Sequence, residues 1–282
     1  MPFGPYIYSI PLLVATFCLM TLKLVGRLNI TETVIPFSAG IGALIVYSIN
    51  HGMPSIPLVF SMEKVLLISF LTLIIGLIIN LTNLPKVYLR LVFIILLAFA
   101  LFWISLPKVD SFSILSLIGL GVLFIASILA LKEIERFQNK ISHLMLKLLI
   151  LTFGIALIAL ISGSNDQADL VFSIASAIGS CLILGGFSSK NKFSYSLLLC
   201  FFVILLCVVA SLAFYSRTSL PALFILFLIF FSDKSIKPLE NFNSQLVYYK
   251  YICTIAGLNL IPVLAAIAIA FVHTEINNSI IQ

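Results

Sequence analysis

Charge is what this sequence has least of. Asp, Glu, Lys and Arg together make up 9% of its 282 residues, and only ten of those residues are acidic. A soluble domain is about a quarter charged and about half apolar. A chain that is 62% hydrophobic has too little polar surface to clothe a water-exposed fold of this size. No Asp, Glu or Arg falls near the middle of a long apolar stretch, which speaks against a proton- or sodium-coupled carrier, since those keep a buried carboxylate for their ion. Histidine is scarce too. His51, His143 and His273 lie on different segments without ligand spacing, so they read as surface or interfacial residues and no metal site is expected. The five cysteines (Cys18, Cys181, Cys200, Cys207, Cys253) all fall inside apolar stretches and form no C-x-x-C pair, the pattern of buried thiols rather than of redox or metal chemistry. P-loop, H-E-x-x-H and G-x-S-x-G motifs are missing, and no catalytic residue is nominated.

What the sequence does have is long apolar runs. Ten stretches approach the ~20 residues needed to cross ~30 Å of hydrocarbon as a helix. They fall at 5–25, 33–50, 64–83, 89–106, 111–131, 143–162, 169–188, 194–215, 218–232 and 248–272. The first is too long for a signal-peptide core and reads as a retained helix. No outer-membrane strand alternation occurs, and helices satisfy their own backbone groups in lipid. The expected fold is therefore all-α: one polytopic membrane helix bundle.

The basic residues orient it. Of the 16 Lys and Arg residues, 13 lie in every second gap between the apolar stretches; only Lys64, Lys108 and Arg217 lie on the other side. The positive-inside rule then makes the rich gaps cytoplasmic and puts both termini outside. The expected location is a bacterial inner membrane. The formal charge of +6 is spread over loops and seldom lies beside aromatics. It anchors the chain to an anionic leaflet and is no nucleic-acid signature.

Few residues could carry chemistry. Asn259 is the one strongly polar residue near the middle of the last stretch, in Gly257-Leu258-Asn259-Leu260-Ile261-Pro262. Pro262 removes a backbone donor there, so Asn259 and Pro262 form either a kink with interhelical glue or a substrate contact in a transporter. Lys147 lies about one turn inside its stretch and is expected to snorkel to the interface. Ala175 and Gly179 form a small-x-x-x-small step suited to close helix packing, within the chain or against a partner or second copy. Asn165-Asp166-Gln167-Ala168-Asp169 has the form of an N-D-x-x-D magnesium-diphosphate motif. It lies on the predicted outer face without a second acidic motif and reads as a solvated loop. Lys132 to Lys140 reads as an amphipathic extension of the preceding helix.

Ten spans with five cytoplasmic loops is an arrangement similar to the bacterial polyprenyl-phosphate sugar-1-phosphate transferases. Pro36-Phe37-Ser38-Ala39-Gly40 resembles the family's P-x-x-G-G. Gly76-Leu77-Ile78-Ile79-Asn80, followed by Leu84-Pro85-Lys86-Val87-Tyr88-Leu89-Arg90, resembles its G-L-x-D-D and the basic stretch after it. Ala177-Ile178-Gly179 resembles the family's small-rich helix. The family's aspartate pair is replaced by Ile79 and Asn80, and the motifs expected after residues 131, 188 and 232 are missing. The resemblance thus implies a degenerate member, with magnesium as cofactor only if transfer activity is retained. It implies a polyprenyl-phosphate headgroup site formed by Asn80, Lys86, Arg90, Lys132, Lys190 and Lys192. A transporter or permease without ion coupling, and a structural or assembly partner of a membrane complex, are the other two readings.

Overall fold

A computed structural model describes residues 28–52, 61–82, 85–105, 114–136, 141–185, 195–216, 218–235 and 245–281, and all their regular structure is helical. The helices are α1 (Leu28–His51), α2 (Ser61–Thr82), α3 (Lys86–Ser105), α4 (Ile114–Arg136), α5 (Ile141–Ile161), α6 (Asn165–Gly185), α7 (Tyr195–Tyr215), α8 (Leu220–Leu226) and α9 (Gln245–Ile281). A 3-10 segment, Phe227–Ser235, continues α8. Among the described residues, six helices are long and apolar enough to cross a membrane. They are α2, α3, α5, α6, α7 and the Thr254–Ile276 part of α9. The stretch 5–25 lies outside the described residues.

Hydroxyls inside these helices need no distant partner. Ser48, Ser69 and Ser127 donate to the carbonyls of Leu44, Val65 and Leu123 at 2.9, 2.7 and 2.7 Å. Each bond reaches back one turn, which lets a polar side chain sit in an apolar bundle without an orphaned group. Large apolar side chains such as Ile74, Ile78, Leu91, Ile95, Phe99 and Phe102 are exposed. On a soluble protein such a surface would aggregate; against acyl chains it costs nothing.

α7 is the axis of the bundle. An unbroken run from Ser196 to Leu212 is buried, and α2 and α3 pack along it. Close approach comes from glycine. A Cβ on Gly76 of α2 would overlap Cys200 Sγ of α7 and come within 3.2 Å of Phe37 Cε1 of α1. α5 pairs with α6, α6 with α1, and α5 with α9. The small residues of α6 serve this packing: Ala175 is buried, and a Cβ on Gly179 would touch Leu149 Cδ1 of α5 at 4.0 Å.

Two ends of the bundle can be told apart by their contacts. One end gathers the C-terminal ends of α1, α3, α5 and α7 with the starts of α2, α6 and α8. Ser211 meets Ser61, Tyr215 donates to the Ile104 carbonyl, and Thr218 donates to Ser162. The other end holds the start of α3 and the end of α4, joined by Arg90 and Glu135. It also holds the end of α2 and the start of α7, joined by Ser196 and Asn80. Successive helices therefore alternate in direction, as the spacing of basic gaps anticipates.

Two expectations are corrected. Residues 165–169 are no loop but the first turn of α6. Their helix begins early because α5 ends in a Schellman turn, with Gly163 at φ +75° and the amides of Gly163 and Ser164 bonded to the Leu160 and Ala159 carbonyls. That closure leaves only three residues between the helices. Lys147 does not snorkel to water: it is 1% exposed and ranks among the largest fully buried side chains, on a helix against which both α6 and α9 pack. The stretch 218–232 is a seven-residue α-helix running into 3-10 helix, shorter than the six helices long enough to cross a membrane.

Candidate functional site

The break in α8 marks the most unusual backbone in the bundle. A 3-10 run of nine residues is long for a geometry that seldom exceeds three or four. Ser219 leads into α8 in extended conformation and Pro221 stands in the first turn, which presets φ for helix entry. The 3-10 segment then packs against α9, α4 and α5. There, Ser232 donates to the Ile229 carbonyl at 2.9 Å and to Asn259 Oδ1 at 2.6 Å. Asn259 is wholly buried, and its Nδ2 has no partner among the described residues. Pro262 stands one turn further along α9, inside the continuous helix. The predicted pair of Asn259 and Pro262 thus lies beside irregular backbone, and the neighbour that engages Asn259 is Ser232, a residue with no distinguishing pattern around it.

The register of three elements converges on this point. Gly154 of α5 lies where a Cβ would meet Leu226 of α8 at 2.8 Å and Val263 of α9 at 3.4 Å. Lys147 precedes Gly154 by seven residues, two turns back on the same face of α5. Asn259 precedes Val263 by four, one turn back on the same face of α9. Ser232 follows Leu226 by six, two turns on in a 3-10 geometry of three residues per turn. Ser232 and Asn259 meet directly, and Lys147 lies about 10 Å along α5 from the Gly154 contact, toward its start.

A second polar cluster lies at the opposite end. The last turn of α1 carries His51, and Gly52 closes that helix at φ +86° with its amide bonded to the Ser48 carbonyl at 2.9 Å. His51 Nε2 lies 3.2 Å from Asp169 Oδ2, and Nδ1 lies 3.5 Å from Asp166 Oδ1. Tyr47 stacks on the imidazole with ring centroids 4.5 Å apart. The placement suits both helix dipoles, with a cation-forming group at a C-terminus and carboxylates in a first turn. Gln167 donates to Ser211 Oγ at 2.9 Å from the same turn of α6. The two imidazole nitrogens face different carboxylates, so the three side chains do not converge on one point. Among the described residues no group of three or more His, Cys, Asp or Glu could hold a metal ion. His51 is therefore not isolated, as its sequence context implies. It forms an interhelical latch.

Those described residues that were expected to form a headgroup site fall at the Arg90 end, but in different circumstances. Asn80 Oδ1 accepts from Ser196 at 3.4 Å. Arg90 Nε lies 3.4 Å from Glu135 Oε1, and Arg136 Nη1 lies 3.9 Å from Glu133 Oε2. Lys132 is exposed on α4, and Lys86 is the first residue of α3. Lys190 and Lys192 lie outside the described residues. On this face Arg90 and Arg136 thus each have a carboxylate beside them. The Tyr195 hydroxyl, buried and without a partner among the described residues, stands within electrostatic range of Arg90 and Glu135.

Comparison with known proteins returned no matching family, no matching curated protein and no matching solved structure.

Proposed function

We propose that this chain is a multipass membrane permease without ion coupling, whose substrate contact is the junction of the 3-10 segment with α9 around Asn259. The observation that carries this reading is the unused amide donor of Asn259. An interhelical glue residue would engage both ends of its amide, because an idle buried donor costs on the order of 1–3 kcal/mol. Broken helices at membrane depth also favour substrate sites, since irregular backbone is tolerated where it is buried or lines a water-filled cavity. The reading sets the chain in a bacterial inner membrane with its basic gaps in the cytoplasm and both termini outside.

The test is aqueous access. With the five native cysteines replaced, Ser232→Cys or Asn259→Cys is exposed in intact vesicles to a membrane-impermeant thiol reagent. Labelling from one face at a rate well above that of a control packed in the helix contact at Val263→Cys supports a permeation path. Labelling only after denaturation sinks it.

A second reading keeps one observation of its own. Asn80, Arg90 and Lys132 do share one end of the bundle, as a polyprenyl-phosphate site descended from sugar-phosphate transferases requires. The pairing of Arg90 with Glu135 weakens it by neutralising a cation the headgroup would need. Magnesium-dependent release of UMP from a UDP-amino sugar by membranes carrying the protein is the readout. Its absence, with no binding of undecaprenyl phosphate, removes this reading.

A further inference from the structure

We propose that His51 is a proton-operated latch between α1 and α6: with two protons its imidazole ties both Asp169 and Asp166, and with one it keeps Asp169 and releases Asp166, loosening the end of α1.

The placement of the ring argues for this. Nε2 lies 3.2 Å from Asp169 Oδ2, and Nδ1 lies 3.5 Å from Asp166 Oδ1. An ionised carboxylate only accepts hydrogen bonds, while a neutral imidazole has one N–H and one lone pair. Two protons on the ring give each carboxylate a donor. With one proton, a bare nitrogen faces a carboxylate oxygen across a gap too narrow for a bridging water. Turning the ring over adds no donor, and Tyr47 stacks on it at an interplanar angle of 20°, which fixes its plane.

The two ties are unequal. The Asp169 side chain is 8% exposed and that of Asp166 is 68% exposed. Water can hydrate Asp166 without any movement of the helices, whereas Asp169 is reached only if they separate. A carboxylate that cannot be hydrated has the stronger claim on a single donor, so Asp166 is the one let go. The imidazole itself keeps 23% of its side-chain surface exposed, which gives protons a route to it from solvent.

The other charges near the ring come from the helices packed against α1, which are α6, α2 and α7. α2 brings Glu63 in its first turn, within electrostatic range of Tyr47, and the buried Lys64. α7 brings Tyr215, whose hydroxyl is engaged on the Ile104 carbonyl. An imidazole changes charge between about pH 5 and 8, a range in which carboxyl, phenol and ammonium groups ordinarily do not. Acidity therefore closes the second tie and alkalinity opens it. Which compartment's acidity is sensed rests on the orientation proposed above; the latch itself does not.

The experiment uses the full-length cysteine-replaced chain in lipid nanodiscs, open to buffer on both faces. Nitroxides are attached at Ile49→Cys on α1 and Asn165→Cys on α6, both exposed positions, and the distance between them is measured by pulsed electron resonance from pH 5.5 to 9. The expected result is a short, narrow distance peak in acid that is lost to a longer and broader one as the pH rises. Asp166→Asn supplies an amide N–H to the bare nitrogen and should keep the short peak across the whole range. His51→Gln should show no response to pH. Identical distributions at pH 5.5 and 9 in the parent chain would overturn the latch. A response that survives in His51→Gln would assign the titration to another group and overturn it too, as would a response in Asp166→Asn equal to that of the parent. If His51→Gln does not accumulate in the membrane, Asp166→Asn, altered only at an exposed side chain, decides.

Discussion

His51 and Asp169 are separated by 118 residues of chain and by 3.2 Å in space. The contact fastens the capped end of α1 to the first turn of α6, with Asp169 only 6% exposed and the His51 ring held flat under Tyr47. Because both ring nitrogens face carboxylates, only the doubly protonated imidazole offers a donor to each.

Removing that ring should loosen the bundle. His51→Ala removes the imidazole that lies 3.2 Å from the buried Asp169 carboxylate, and a hydrogen bond to a charged group is worth roughly 1.5–3 kcal/mol. We expect a lower midpoint of thermal inactivation in detergent, with a smaller loss for His51→Gln, which keeps one donor. Identical melting of His51→Ala and the parent chain would show that the latch contributes nothing.

A second prediction concerns the tightest helix contact. Gly76→Ala places a methyl on Cys200 Sγ and against Phe37, an overpacking that costs roughly 1–3 kcal/mol. Cys200 also donates to the Thr72 carbonyl at 3.3 Å, so Cys200→Ala carries its own small penalty. The double variant should be more stable than the sum of the two losses implies, because the methyl then occupies the space of the missing sulfur. Additive losses would mean that the two helices do not meet at this point.

Asn259 predicts the opposite sign. Replacing both partners of a buried hydrogen bond by apolar groups is close to neutral or stabilising. The pair Ser232→Ala and Asn259→Leu also removes an idle donor. We expect a protein that melts no lower than the parent, with a gain of about 1 kcal/mol, and that has lost its passage for thiol probes reporting on the junction. A clear drop in melting temperature would mean that the amide holds the helices together.

Sidedness gives a fourth. In a cysteine-free chain, Lys132→Cys should react with an impermeant reagent added to the cytoplasmic face only. Asp166→Cys, whose native side chain is 68% exposed, should react from the outer face only. Reversal of both would invert the orientation read from the basic gaps.

The helices themselves were legible because lipid imposes a single rule on long apolar runs: α2, α3, α5, α6 and α7 each begin and end within four residues of their runs, whereas α8 breaks off at Leu226 and α9 runs on to Ile281. The small step at Ala175 and Gly179 was legible for the same reason, as close packing needs small side chains. Asn259 stood out because it was polar where nothing else was. Ser232 did not, since a serine carries no signal until its neighbour is known. The pairing of Arg90 with Glu135 and of His51 with Asp169 depends on which helices lie side by side, and periodicity contains no such information. Lys147 misled for a related reason: a lysine one turn from a helix end snorkels only if that flank of the helix is open, and here the side chain is enclosed by the bundle.

The most apolar helix of the bundle, α7, is the one that touches lipid least once the protein is finished. Its composition therefore answers to its birth and not to its final surroundings. It must leave the translocation channel and stand alone in the bilayer before later helices enclose it. α6, the least apolar of the six and burdened with Gln167 and Asp169, has no such independence. Its stable seating waits on α1 and α5, made before it, and on α7, made after it, so a premature stop near residue 190 should strand α6 as a substrate for membrane proteolysis.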